Sequence, residues 1–148
     1  MTNPDGRVAH INPAGLGRPT GFSHAVRTSG GENVHLAGQT ALNADGVIVG
    51  ATVVEQFEQA LGNLVTALRA AGGTPADLVS LTIYIVDLDD YREHSREIGL
   101  VWRRLIGTSY PAVAGVGVAR LWDADALVEV QGTACVDADS GDAALSDA

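Results

Sequence analysis

A long stretch with helical periodicity, from Thr52 to about Ala71, sets the geometry that the remaining segments must satisfy. Its apolar residues recur at intervals of three and four and therefore form one stripe along a helix. They are Val54, Phe57, Leu61, Leu64, Leu68 and Ala71. Thr52 followed by Glu55 matches a capping box, and Gly72–Gly73 supplies a left-handed stop. The stretch predicts an amphipathic helix that must bury its stripe against another layer.

Segments with strand periodicity surround this helix. They are Ser23–Thr28, Asn33–Ala37, about Val47–Val49, Leu78–Val86, Pro111–Arg120 and Ala126–Val136. A hairpin is expected where Gly30–Gly31 joins the first two. A second helix is predicted from about Tyr91 to Ile106, capped by Asp89 or Asp90. Two helices can cover only one face of such a sheet, so the other face must meet water or another subunit.

The other face of the predicted sheet carries residues too polar for a core but suited to a wet subunit interface. They are Thr82, Tyr84, Glu129, Gln131 and Thr133. Glu129 stands in the middle of an apolar strand, ALVEVQGTA. It is either an ordinary strand glutamate, exposed or paired with an arginine, or a carboxylate that lines a cleft and exchanges protons. The strand by itself favours the first alternative.

Composition narrows the class of protein. A chain of 148 residues with 46% apolar residues is one globular domain. Residues 1–20 are expected to be an irregular lead-in, 21–136 a single domain and 137–148 an acidic, flexible tail. A net charge of −9 and the lack of lysine disfavour nucleic acid as a partner. No run of apolar residues approaches the length of a membrane span, and the start of the sequence has no apolar signal core. We therefore expect a cytoplasmic protein that is neither inserted in a membrane nor exported.

Few residues are arranged for metal or cofactor binding. The four histidines, His10, His24, His35 and His94, show neither paired helical spacing nor a cysteine partner. No glycine-rich phosphate loop follows a strand, and we predict neither a metal nor a cofactor. The single cysteine, Cys135, is typical of a small buried residue. Gly38, in the sequence AGQ, indicates either close approach of a ligand to the backbone or a bulge.

Several segments, taken in order, resemble the RidA/YjgF family, also labelled L-PSP endoribonuclease-like. They are GFSHAV, VHLAGQTAL, EQFEQALGNLVTALRAAGG, LTIYIVDLDDY, YPAVAGVGVARL and ALVEVQGTA, between Gly21 and Val136. The resemblance implies a chorismate-mutase-like α+β fold, in which two helices pack on one face of a mixed β-sheet. It also implies a homotrimer with small-molecule clefts between subunits. It also implies hydrolysis of reactive enamines or imines, such as 2-aminoacrylate, to a keto acid and ammonia.

The resemblance implies a ligand site, but several residues of that site differ from those of the active deaminases of the family. It implies that Glu129 is catalytic and that the ligand contacts Phe22, Gly38, Gln39, Ser95, Val113 and Gly115. Active deaminases of the family carry arginine, cysteine, tyrosine and asparagine where this chain has Val113, Gly115, Phe22 and Ser95. Without the arginine that clamps the substrate carboxylate, we predict weak or no activity on 2-aminoacrylate.

Two functions therefore stay open on the sequence. One is a divergent hydrolase or deaminase that uses Glu129 to activate water on a small enamine or imine. The other is a trimer that binds a small molecule or regulates a partner without chemistry. Ribonuclease activity, suggested only by the family label, is disfavoured by the acidic composition.

Overall fold

The computed structural model describes residues 5–139, which form a mixed β-sheet with helices packed on one face. The strands are β1 Val8–Ile11, β2 Ala25–Thr28, β3 Glu32–Gln39, β4 Leu78–Ile85, β5 Ala112–Gly117 and β6 Val128–Val136. The helices are α1 Val53–Ala70, α2 Leu88–Glu93 and α3 Ser95–Leu105. The main sheet has the order β3–β6–β4–β5, in which only β4 and β5 are parallel. The predicted α+β class is confirmed.

Helix α1 begins and ends where the sequence predicts. The Oγ1 atom of Thr52 accepts the backbone N–H of Glu55 at 3.2 Å, which closes the first turn. At the other end Gly72 has a φ of +87°, and the N–H of Gly73 donates to Leu68 O at 3.0 Å. These bonds form a Schellman motif, which requires the left-handed conformation that glycine adopts without strain.

The second predicted helix is in fact two helices, which is a correction. Asp87, rather than Asp89 or Asp90, caps α2, and its carboxylate accepts the N–H of Asp90 at 3.1 Å. The break falls at His94, whose ring nitrogen Nδ1 lies 2.8 Å from the carbonyl oxygen of Asp90. There the backbone N–H of His94 is shared between Asp90 O and Tyr91 O, both at 3.2 Å, so the regular α-helical pattern gives way to a tighter turn. The apolar stripe is continuous across the break and hides it from periodicity.

The N-terminal strands also differ from expectation. The segment predicted as irregular contains β1, which pairs with β2 in a separate antiparallel ribbon. β2 and β3 therefore do not form the expected hairpin, and β3 pairs with β6 instead. Gly30 and Gly31 both have positive φ values, so the chain turns there but crosses from one sheet to the other. Of the predicted tail, residues 140–148 lie outside the described part of the chain.

The two faces of the main sheet have the character that the sequence predicts. Leu81, Ile83 and Val130 are buried beneath α1 and α3. The opposite face carries the polar residues, and two cross-strand pairs are hydrogen-bonded: Ser80 with Thr133 at 2.8 Å, and Tyr84 with Gln131 at 3.0 Å. A register irregularity between positions 78 and 80 places Leu78 in the core, although strict alternation with Ser80 would place it on the polar face.

A buried glutamine, which the sequence did not single out, fixes the start of β6. Gln56 on α1 is 3% exposed, and its Nε2 donates to Gly50 O and Asp125 O, both at 3.1 Å. Its Oε1 accepts the N–H of Leu127 at 2.8 Å. The amide therefore satisfies backbone groups of two loops and holds the strand that carries Glu129 in place.

We expect Gln56→Leu to lower the free energy of unfolding by about 2 kcal/mol, because it leaves buried backbone groups without partners. Urea denaturation measures this. Gln59→Leu is the matched control. Gln59 is half-buried, and its amide donates to the side chain of Asn63 and to Leu42 O, a carbonyl that also accepts from Asn63. Equal losses in the two variants would contradict the role given to Gln56.

Candidate functional site

Glu129 and Gly38 meet on the open face of the sheet. A Cβ atom placed on Gly38 would overlap Oε1 of Glu129 and would lie 3.0 Å from its Cδ. The pairing of β3 with β6 is irregular between Leu36 and Gln39, so Gly38 lies in a bulge. Its φ is not positive, unlike those of the turn glycines, so a glycine is needed here for close approach rather than for backbone conformation.

The surroundings of Glu129 decide between the two interpretations of its strand position. The side chain is half-buried, beside Tyr84 on the neighbouring strand. Among residues 5–139 no basic side chain forms an ion pair with it, and none donates a hydrogen bond to it. A half-buried carboxylate without a cation partner is therefore open to bind a proton donor from outside the chain.

A second feature is a cavity of about 710 Å³ between α3 and β5. Four residues of the predicted site line it: Phe22, Ser95, Val113 and Gly115. Ser95, the first residue of α3, donates its hydroxyl hydrogen to Arg92 O in α2 at 2.8 Å, so this donor already has an acceptor. Val113 packs against the core, and a Cβ on Gly115 would find its nearest heavy atom 3.9 Å away. The substituted positions thus form an apolar and open wall.

Four aromatic rings form the floor of the cavity. Trp102 and Tyr110 are stacked with their ring centres 6.2 Å apart, and Phe57 and Tyr91 meet edge to face at 6.1 Å. All four line the cavity. Burial raises the pKa of Tyr91 to about 12, so its hydroxyl stays protonated at neutral pH and can donate a hydrogen bond.

The structure separates the predicted site residues into two groups. Gly115 pairs with buried Ile83, whereas Glu129 pairs with Tyr84, the next residue of β4. Successive residues of a strand point to opposite faces. Val113 and Gly115 therefore lie on the helix side of the sheet, and Glu129 lies on the open side. Within one chain Glu129 does not line the cavity.

Gln39 belongs to neither group. It lies next to Gly38, and its Nε2 donates to Ala37 O at 3.3 Å. It is half-buried and does not line the cavity. A ligand contact for Gln39 remains a prediction.

Two residues that sequence reasoning missed also line the cavity: Arg96 and Arg103 on α3. The sequence indicates only that Arg103 and Arg104 point in different directions, and the structure confirms it, since Arg104 forms an ion pair with Glu58 of α1. The signal that could have found the pair is the interval of seven residues, which returns to the same side of a helix after two turns.

The remaining reactive side chains have structural surroundings. Cys135 is 1% exposed, and its Sγ lies 3.2 Å from Gly30 O, which accepts its hydrogen. In the described part of the chain no three His, Cys, Asp or Glu side chains are grouped so that they could hold a metal ion. None of the helices between residues 5 and 139 is long and apolar enough to cross a membrane.

With this geometry established, comparison with known proteins identifies the fold family. The profile of the family described as Endoribonuclease L-PSP matches residues 16–136. This chain belongs to the RidA/YjgF family. A RutC family protein of Pyrococcus abyssi (strain GE5 / Orsay) is 31% identical over 119 residues, which are 79% of this chain and 88% of the relative. The RidA/YjgF assignment agrees with the order of strands and helices described above.

Two further RidA/YjgF comparisons bear on structure and activity. A protein of Capra hircus named 2-iminobutanoate/2-iminopropanoate deaminase is 31% identical over 110 residues, which are 74% of each chain. The crystal structure of a Rid family protein of unknown function, YyfB from Yersinia pestis, matches with a TM-score of 0.79 at 36% identity. That match covers 88% of this chain and 99% of the other. The mixed sheet with helices on one face is thus the fold of the RidA/YjgF family.

Proposed function

We propose that this chain is a hydrolase of small imines or enamines and that Glu129 activates the attacking water. The observation that carries the proposal is the half-buried carboxylate of Glu129, which packs on Gly38 and has no cation partner within residues 5–139. Partial burial removes some of the water around this carboxylate, which leaves a ligand or an ordered water as its partner. The goat relative, by its name, acts on imines, which agrees with this chemistry.

The reaction needs one base that moves a proton twice. The Glu129 carboxylate accepts a proton from water as the water oxygen bonds to the imine carbon, and it passes this proton to the imine nitrogen, which gives a neutral aminoalcohol. Glu129 then takes the hydroxyl proton and delivers it to the amine nitrogen as the carbon–nitrogen bond breaks. The carbonyl forms, ammonia leaves, and Glu129 is again a carboxylate. General acid–base assistance of this kind accelerates reactions by about 10²- to 10⁴-fold.

The proposal includes a homotrimer. Glu129 and the cavity lie on opposite faces of one sheet, so a site that contains both needs a second copy of the chain. The hydrogen-bonded polar residues of the open face suit such a wet interface. In a trimer, Glu129 of one copy would face the cavity side of its neighbour, and the enclosed cleft would exclude bulk water.

A second candidate function is binding without chemistry. It is favoured by one observation, that no aspartate or glutamate is among the residues lining the cavity. A trimer of this kind would hold a small ligand against the aromatic floor, and Glu129 would have no part in the affinity.

The deciding experiment incubates the purified chain with imines that are generated in situ by oxidation of amino acids. The release of ammonia and the formation of the carbonyl product are both measured. We expect Glu129→Gln to lower the rate about 100-fold or more without changing the mass of the assembly. Glu32→Gln, a change at an exposed strand glutamate, should stay within twofold of the unmodified chain. Unchanged turnover in Glu129→Gln would contradict the proposal.

Turnover of 2-aminoacrylate should be slow even in the unmodified chain. Val113 offers no guanidinium at the position where active family members clamp the substrate carboxylate. We expect pyruvate release at least tenfold below that of an arginine-bearing relative assayed in parallel. A rate equal to that of the relative would show that the missing clamp is immaterial.

A further inference from the structure

We propose that the cavity between α3 and β5 binds a monocarboxylate with an aromatic or branched apolar body, and that Arg103 and Arg96 hold the carboxylate. The inference rests on the proposed function in that it names the substrate class of the same cleft. It concerns binding, however, and is measured without turnover.

The first argument is the local charge. The chain carries a net charge of −9 and has arginine as its only strongly basic residue type. Two of its arginines nevertheless line this cavity, and no acidic residue does so. Even with the Glu129 carboxylate that a neighbouring copy would contribute, two guanidinium groups leave this cavity net positive, and a positive cavity selects anionic ligands over cations.

The second argument is that both guanidinium groups are unengaged. Arg7 and Arg104 form ion pairs, with Asp77 and Glu58 respectively. Within residues 5–139, Arg96 and Arg103 form none. No acidic residue stands three or four positions from Arg103 along the chain, so its own helix supplies no partner. A free guanidinium can bind a carboxylate through two parallel hydrogen bonds.

The third argument is the placement of the two arginines. Seven residues along an α-helix correspond to about 10.5 Å of rise and return to within about 20° of the same direction. Leu100 lies between them on this side of α3 and is 58% exposed. The pair therefore flanks an apolar strip at the rim, above the aromatic floor formed by Phe57, Tyr91, Trp102 and Tyr110.

The fourth argument is size. A cavity of about 710 Å³ is in the range that holds a ligand much larger than a three-carbon acid. A small acid could bind an arginine at the rim but would leave the aromatic floor uncovered. A phenyl or branched alkyl body would cover it and exclude water. The expected substrates are therefore 2-imino acids with large apolar side chains rather than 2-aminoacrylate.

The test measures binding of 3-phenylpropanoate, with 3-phenylpropanamide as the uncharged analogue and acetate as the carboxylate without a body. The Trp122→Phe chain serves as the host, because Trp122 is 97% exposed and its removal leaves Trp102 in the cavity as the sole tryptophan. Its fluorescence reports occupancy, and calorimetry on the unmodified chain checks that the host binds equally well.

We expect 3-phenylpropanoate to bind at least tenfold more tightly than either analogue, and Arg103→Gln to remove about tenfold of that affinity. Arg96→Gln should lose less, and Arg103→Lys should recover part of the loss because it keeps the charge without the fork geometry. Arg92→Gln, a change at an exposed arginine outside the cavity, is the matched control and should leave affinity unchanged. Thermal unfolding confirms that each variant is folded.

Equal binding of the acid and the amide, or an affinity that folded Arg103→Gln and Arg96→Gln chains both retain, would overturn the inference. The two proposals fail separately. Arginine-dependent binding in a chain that hydrolyses no imine would refute the hydrolase and support this ligand class. Turnover that depends on Glu129, together with binding that does not depend on Arg96 or Arg103, would support the hydrolase and refute this ligand class.

Discussion

Alanine in place of Gly38 is expected to lower the rate of imine hydrolysis about 100-fold while the fold stays intact. The added Cβ would overlap Oε1 of Glu129, so the carboxylate must move away from its present position. Displacement of a catalytic group by about 1 Å can reduce a rate about 100-fold. The group that must shift is the end of a flexible, half-buried side chain, so the free energy of unfolding should change by less than about 1 kcal/mol.

The matched control for this prediction is Gly117→Ala. Gly117 is also a strand glycine, but a Cβ placed on it would lie 3.8 Å from its nearest heavy atoms, which is ordinary contact. Its rate should stay within twofold of the unmodified chain. Steady-state kinetics and urea denaturation on both variants separate an effect on the site from an effect on the fold. A fully active Gly38→Ala chain would show that the position of the Glu129 carboxylate does not matter.

The largest loss of stability is expected from Gly31→Ala, at about 3 kcal/mol. Gly31 has a φ of +73°, which costs a residue with a side chain about 1–2 kcal/mol. An added Cβ would also lie 2.6 Å from Val136 O and 2.5 Å from Cδ of Arg7. Relief of this overlap adds about 1–3 kcal/mol. It would also disturb Arg7, whose guanidinium binds Asp77 at 2.8 Å and so links the N-terminal segment to the turn that precedes β4.

Gly30→Ala isolates the two contributions. Gly30 has nearly the same φ, +69°, but a Cβ on it would meet nothing within 4 Å. Only the cost of a positive φ applies at Gly30, so we expect the free energy of unfolding to fall by about 1 kcal/mol. The difference between the two variants in urea denaturation measures the overlap alone. If both lost the same amount, the crowding at Gly31 would have no energetic consequence.

Much of the fold could be predicted because its signals are local. The limits of α1 follow from the cap at Thr52 and the glycine at Gly72, and the structure has both. The polar face of the sheet can be predicted from β6 alone, because Glu129, Gln131 and Thr133 alternate along this one strand. The family resemblance assigns Gly38 and Glu129 to one site, but their contact depends on a bulge in β3 that the sequence does not reveal.

The rest depends on pairings that the sequence does not encode locally. The hairpin predicted at Gly30–Gly31 does not form. A turn signal shows where the chain bends, but it does not show which strands pair with each other. The irregular pairing near Leu78 reverses one residue's direction, and alternation has no means of sensing it. Arg96 and Arg103 could not be predicted for the site, because only the tertiary fold brings their helix opposite the strand of Val113.

The central claim is that Glu129 works in a cleft completed by a second copy of the chain. Sedimentation equilibrium of the unmodified protein at micromolar concentration tests it most directly. We predict one species with three times the 15.2 kDa mass of the chain. A single species of 15.2 kDa would leave Glu129 on an uncovered face and would contradict the account.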